Sequence, residues 1–191
     1  MPATAIAWMS DPTAAMERAA QENKMVLLEF SRAPRCAGSV RLAAEIYPQE
    51  RVSSFICRHF VPVRIPTLER PDQGERFNVV WTPTLIVSEA DGLERHRVVG
   101  FLGTDDLLAQ LDLGLAKAEF GRNRFQESEH AFDAIVRRYP GTIAAPEADY
   151  WAGVSKYKYS RDREDLKATG ERLRARYPDS EWARKGSVWI A

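Results

Sequence analysis

The chain has 191 residues, 27 Lys plus Arg against 27 Asp plus Glu, 45% hydrophobic residues and two cysteines, Cys36 and Cys57. The apolar fraction and five tryptophans support packed cores and exclude wholesale disorder, while two thiols exclude a disulfide scaffold and a four-cysteine zinc site. A formal net charge of zero gives no global attraction to nucleic acid or an anionic membrane, and neither is expected as a partner.

The opening segment, MPATAIAWMSDPTAAMERAA, lacks a basic stretch followed by a sustained apolar one and does not read as a secretory signal. No run approaches the roughly 18 apolar residues of a membrane-spanning helix. The expected setting is the cytoplasm. Near residue 120 the pattern changes. Before it, β-rich runs alternate with helical segments; after it, only polar-amphipathic segments remain. Residues 1–119 carry 13 basic and 16 acidic side chains, and residues 120–191 carry 14 and 11. Two regions are therefore expected, 1–119 and 120–191.

Asp11 and Pro12 open a helix over about 12–23, since Pro is tolerated in a first turn. MVLLEF at 25–30 reads as a buried strand. A helix is expected from Cys36 to Tyr47, with Val40, Ala43, Ala44 and Tyr47 as its apolar stripe, and Pro48 marks its end. A short helix near 50–58 leads to the strand FVPVRI at 60–65, where Pro62 cannot donate to a ladder. Glu69, Asp72 and Glu75 read as a solvated loop rather than a carboxylate site. TLIVSEADGLERHRVVG reads as two strands joined at Asp91-Gly92. Thr104, followed by two acids, is the expected N-cap of a helix through about 119. These elements make an α/β region with helices covering a sheet.

Beyond residue 120, helices are expected at about 124–139, 145–158, 162–177 and 180–190. Phe125, Phe132, Ile135 and Val136 form the first stripe, and Tyr150, Trp151, Val154 and Tyr157 the second. Leu166 and Leu173 anchor the third more sparsely, and Trp182 and Trp189 read as a capping seam. Lys156, Lys158, Arg161 and Arg163 lie beside Asp162, Glu164 and Asp165, which reads as a charged face rather than an RNA track.

The sharpest local feature is EFSRAPRCAGSVRLAAEIYP, residues 29–48, which puts a thiol where a strand ends and a helix begins. Free backbone N–H groups and the helix dipole favour a thiolate there. Arg35 beside Cys36, with Arg32 nearby, adds positive charge, and Ser39 one turn on can donate a hydrogen bond. A lone cysteine at a helix start is also a common inert feature. His59, His96 and His130 are dispersed, so no metal site is expected. No phosphate-binding loop, dinucleotide fingerprint or nucleophile elbow occurs, and no cofactor is expected.

At this point the sequence resembles the thioredoxin superfamily over roughly residues 8–119. VLLEF resembles the first central strand, Cys36-Ala37-Gly38-Ser39 falls at the active-site motif, and Trp81-Thr82-Pro83-Thr84-Leu85 resembles the segment bearing a cis-proline. Asp91-Gly92 and Val98-Val99-Gly100 match the terminal hairpin. The resemblance implies a central mixed sheet flanked by helices, a cis Pro83, and the Thr82 backbone as a docking edge. It also places Glu29 where relatives often keep a buried acid for proton transfer; a solvent-facing residue is an equal reading of Glu29. The chain departs from the pattern in three ways. Ser39 replaces the resolving cysteine, Arg35 stands where many relatives have tryptophan, and the stretch from Phe30 to Cys36 is one residue longer.

Residues 115–191 resemble tetratricopeptide-like repeats, through Phe125, Phe132, Tyr139-Pro140, Ala148, Tyr150-Trp151 and Gly153, then Leu166, Gly170 and Tyr177-Pro178 in a more degenerate unit. That likeness implies a protein partner held by the helical tail, or a tail that only packs on the rest of the chain or forms a homodimer. Together the resemblances imply a monothiol redox or thiol-dependent partner-binding protein using Cys36. Its substrate would be a protein or a low-molecular-weight thiol or disulfide. The alternative is a non-catalytic adaptor with a degenerate redox site. Cys57, near Val52, Ile56 and Phe60, reads as a small core hydrophobe rather than a partner for Cys36.

Overall fold

The first unit is built around β1 (Met25–Ser31), a strand buried at every position. The computed structural model describes residues 5–190. Chain contacts divide it into two units, one through Leu108 and one from Ala109, and the division falls earlier than the compositional change near residue 120.

In the first unit the elements run α1 (Pro12–Glu22), β1, α2 (Ala37–Arg41), α3 (Glu50–His59), β2 (Phe60–Pro66), α4 (Pro71–Arg76), β3 (Thr84–Ser88) and β4 (Glu94–Val99). The sheet order is β2-β1-β3-β4, with β1 parallel to β2 and antiparallel to β3, and β3 antiparallel to β4. This is the mixed sheet with flanking helices that the sequence predicts. Val26, Leu28 and Phe30 of β1 point into one core with Val61, Val63 and Ile65 of β2 and Ala15 and Ala19 of α1. Burying each large aliphatic side chain there contributes about 1.5–3 kcal/mol. Pro62 is tolerated because β2 is the last strand of the sheet, flanked only by an isolated bridge between Met9 and Val63. Asp11 caps α1 by accepting the Thr13 N–H at 2.9 Å, and Gly92 takes φ +88° at the β3–β4 turn.

The helix expected from Cys36 to Tyr47 forms with a change of pitch. After α2, residues Leu42–Ile46 make a π turn, closed by Tyr47 N–H donating to Leu42 O. Ser39, Leu42, Ile46 and Tyr47 are inside while Val40, Ala43 and Ala44 are exposed. Of the expected stripe, Tyr47 alone is buried. The stretch read as a solvated loop contains α4, started by Pro71 with Asp72 in its first turn. Thr104 is the first residue of its helix, and its hydroxyl donates to Gln49 at 2.9 Å instead of capping.

Helix α5 (Thr104–Gly121) runs into the second unit, which continues with α6 (Phe125–Arg138), α7 (Ala145–Ser160), α8 (Arg163–Arg176) and α9 (Glu181–Gly186). Phe132 and Ile135 of α6 are fully buried. In α7 the innermost positions are small ones, Ala148, Ala152, Gly153 and Ser155, while the expected stripe of Tyr150, Trp151, Val154 and Tyr157 is half-buried. Small residues let the neighbouring helix come close: a Cβ on Gly153 would lie 2.0 Å from Thr169 Oγ1. Tyr150 stacks on Trp189 at 4.7 Å and meets Trp182 at 5.1 Å, which gives the terminal tryptophans the seam expected of them. Lys156 pairs with Asp165 at 2.8 Å, as suits a charged face. No helix among the described residues is long and apolar enough to cross a membrane.

Candidate functional site

Strand β1 ends at Ser31, and the loop that follows is tied down on both sides. The Ser31 carbonyl accepts the Thr67 N–H at 2.8 Å, and the Arg32 carbonyl accepts the Cys36 N–H at 3.0 Å. Cys36 is then the N-cap of α2, in an extended conformation, and its carbonyl accepts the Val40 N–H at 3.0 Å. The thiol therefore stands at a helix start on a loop that backbone hydrogen bonds hold in place.

The opposing wall is the segment before β3. Thr82-Pro83 is cis, as the resemblance implies. The Pro83 carbonyl accepts the Gly100 N–H at 2.8 Å, and Thr84 Oγ1 donates to the Trp81 carbonyl at 2.8 Å. The neutral Cys36 thiol donates to the Thr82 carbonyl at 3.1 Å, so the thiol touches the segment that precedes cis Pro83. Gly38, inside the Cys36–Ser39 motif, is what allows this closeness. A Cβ there would sit 2.9 Å from Pro83 Cδ.

Ser39 is 1% exposed, and its Oγ accepts the Arg32 N–H at 3.2 Å. With a lone pair occupied in this way, the hydroxyl proton is free to turn toward the sulfur. Partial burial of Cys36 opposes ionisation. Hydrogen bonds from the Ser39 and Thr82 hydroxyls and from the Ser39 and Gly38 backbone N–H groups outweigh that cost and hold the thiol below its ordinary pKa. Arg35 is exposed and is not among the groups that produce this shift.

Cys36, Arg32, Arg35, Thr82 and Pro83 line one cleft of about 670 Å³, together with Gly38, Glu75, Val80, Trp81 and Phe101. Of the residues singled out in the sequence, Glu29 lies elsewhere. It is 1% exposed on the central strand and ion-paired with Arg64, so the solvent-facing reading does not hold. Its burial raises its pKa, and Arg64 and the Tyr47 hydroxyl offset part of that rise. Cys57 lies on α3, half-buried, and both cysteines are free. Among the described residues no cluster of three or more His, Cys, Asp or Glu is placed to hold a metal ion. Val80 and Trp81, 88% and 67% exposed, are cleft residues that only their position before Pro83 could have flagged.

A family profile described as a thioredoxin-like domain matches residues 12–114. Among solved structures, the chain is similar to the DsbH oxidoreductase, with 17% identity over 60% of this chain and 87% of that one, at a TM-score of 0.54. It is similar to a Bacteroides thetaiotaomicron protein provisionally assigned as a disulphide-isomerase, with 26% identity over 60% of this chain and 97% of that one, at a TM-score of 0.51. No curated protein sequence matches the chain.

Proposed function

The chain belongs to the thioredoxin-like family, and from that premise we propose that it carries out thiol–disulfide exchange with Cys36 as a single working thiol. The observation that carries this reading is the hydrogen-bonded setting of Cys36 at the start of α2, which favours its thiolate within an open cleft. The thiolate attacks one sulfur of a disulfide. A new bond forms between Sγ and that sulfur, the old S–S bond breaks, and the released thiolate takes a proton from solvent. Ser39 supplies a hydrogen bond where dithiol relatives supply a second sulfur, so no internal thiol at that position can free Cys36. A second thiol from outside attacks the mixed disulfide, leaves as part of a new disulfide and returns Cys36 to the thiolate. Thr82 and Pro83 form the edge against which the substrate lies.

The proposal includes a cytoplasmic setting, where reduced low-molecular-weight thiols are available to complete the cycle. It also gives the α5–α9 region, read as tetratricopeptide-like, the role of holding a protein partner.

The test is the alkylation rate of Cys36 against pH in a Cys57→Ser background, with Cys36→Ser as the blank. The inflection is expected below the value of about 8.5 typical of an unperturbed cysteine, and Ser39→Ala should move it upward. Mass spectrometry after exposure to bis(2-hydroxyethyl) disulfide should show the mixed disulfide on Cys36. An inflection at or above 8.5 with no adduct would leave the chain as a non-catalytic adaptor.

A further inference from the structure

The loop that carries Cys36 also carries two positive charges that do not serve the thiol. Arg32 and Arg35 are exposed on the wall of the same cleft, and neither guanidinium has an acidic partner among the described residues. The groups that favour the Cys36 thiolate are Ser39, Thr82 and two backbone N–H groups, so both arginines are free to meet another charge. One carboxylate, Glu75, lines the cleft with them. The exposed faces of Val80 and Trp81 supply an apolar wall. A chain with a formal net charge of zero thus presents a locally cationic mouth around its thiol.

We propose that this cleft selects acidic disulfides, in which carboxylates flanking the reacting sulfur meet Arg32 and Arg35 while the aliphatic part lies on Trp81. The inference rests on the reading of Cys36 as an exchange nucleophile. A guanidinium pairs with a carboxylate through two parallel N–H donors, which orients the substrate as well as attracting it. Charge complementarity at a cleft mouth acts chiefly on encounter, so the effect belongs in the second-order rate of mixed-disulfide formation and falls with added salt. The covalent step is the one given above: the Sγ–S bond forms, the substrate S–S bond breaks, and the departing acidic thiolate is protonated by solvent. No electrons enter from elsewhere.

The test compares three aliphatic disulfides on the full chain: dianionic 3,3′-dithiodipropionate, neutral bis(2-hydroxyethyl) disulfide and dicationic cystamine. Each rate is divided by that of a small uncharged thiol with the same reagent, which removes differences in leaving group. At low salt the dianion is expected to exceed the dication by about tenfold or more in this normalised ratio. The ratio should collapse toward one in Arg32→Gln/Arg35→Gln and in half-molar salt, and Arg32→Lys/Arg35→Lys should keep most of it. A glutamate-flanked cysteine peptide, presented as its mixed disulfide, tests a peptide source of the same chemistry. Preference for this peptide over a lysine-flanked one, with or without preference for dithiodipropionate, supports the proposal. A brisk reaction with the neutral disulfide but no charge preference, or a preference that survives Arg32→Gln/Arg35→Gln, overturns it. No reaction with the neutral disulfide would instead bring down the exchange reading, and this inference with it.

Discussion

Glu29 on β1 and Arg64 on β2 stand opposite each other in the parallel ladder, and the guanidinium Nε donates to the buried carboxylate. The Arg64 guanidinium also lies over the Trp8 ring, 4.3 Å from its centroid. The acid that family resemblance associates with proton transfer is thus held in an ion pair inside the sheet, outside the group of residues lining the thiol cleft.

Removing the cation should leave that carboxylate buried and alone. Arg64→Met is expected to destabilise the first unit by about 2–3 kcal/mol at pH 7, less than a fully buried pair would lose because Arg64 is partly exposed. The loss should be smaller at pH 5 than at pH 7, because burial raises the Glu29 pKa and a protonated carboxyl needs no cation, and Glu29→Gln in the same background should restore most of it. Denaturant midpoints of the parent and the two variants at both pH values check this. An Arg64→Met penalty that does not change with pH would mean that packing on Trp8, rather than the charge, is what Arg64 supplies.

Ser39 lies one helical turn from Cys36, where the family resemblance puts a resolving thiol and where Cα atoms fall in the range a disulfide requires. Ser39→Cys is therefore expected to lose two titratable thiols on oxidation in a Cys57→Ser background and to exceed the parent in insulin reduction. It should also cost about 1 kcal/mol of stability, since the Arg32 N–H exchanges an oxygen acceptor for a weaker sulfur one. Two thiols that stay free under oxidation would show that the start of α2 does not hold the pair at disulfide geometry.

Asp112 on α5 is buried beside Arg138, and its burial outweighs that arginine and pushes its pKa up to about 6. An ordinary aspartate in the unfolded chain titrates near 4. The native state therefore binds the proton more tightly, and its stability should fall as pH rises from about 4 to about 6, then level off. The total change is on the order of 2–3 kcal/mol. Asp112→Asn should flatten the profile and exceed the parent in stability above pH 6. Denaturation at pH 4.5, 5.5 and 7.5 measures the slope, and parallel profiles for the two proteins would contradict the assignment.

Gly153 of α7 lies so close to Thr169 of α8 that any side chain must displace the partner helix. Gly153→Ala gains helix propensity, worth about 1 kcal/mol at most, but should still lose about 1–3 kcal/mol net through overpacking. Combining it with Thr169→Gly should recover part of that loss. Thermal unfolding of the singles and the double forms a cycle in which additive effects would argue against direct contact.

The order and type of most elements are legible from spacing alone, because hydrophobic periodicity is a local property of the chain. The strand at 25–30, the turn at Asp91-Gly92 and the helices after residue 120 all follow from it. The buried face of the helix after Cys36 does not. That helix buries Ser39 with Leu42, Ile46 and Tyr47, and no pattern of apolar residues announces a buried serine. In α7 the aromatic residues draw attention while the small ones make the contact.

The sequence by itself determined that one thiol at a helix start lacks a second thiol at position 39, since that is a matter of residue identity and spacing. Tertiary structure decided the rest of the site. Cys36 meets the Thr82 carbonyl, Gly38 fits under Pro83, Glu29 turns to Arg64, and Arg32 and Arg35 share the cleft with Trp81. Each of these joins segments far apart in the chain or depends on which way a side chain leaves it. Such relations are set by how the sheet brings its loops together, which one-dimensional spacing does not encode.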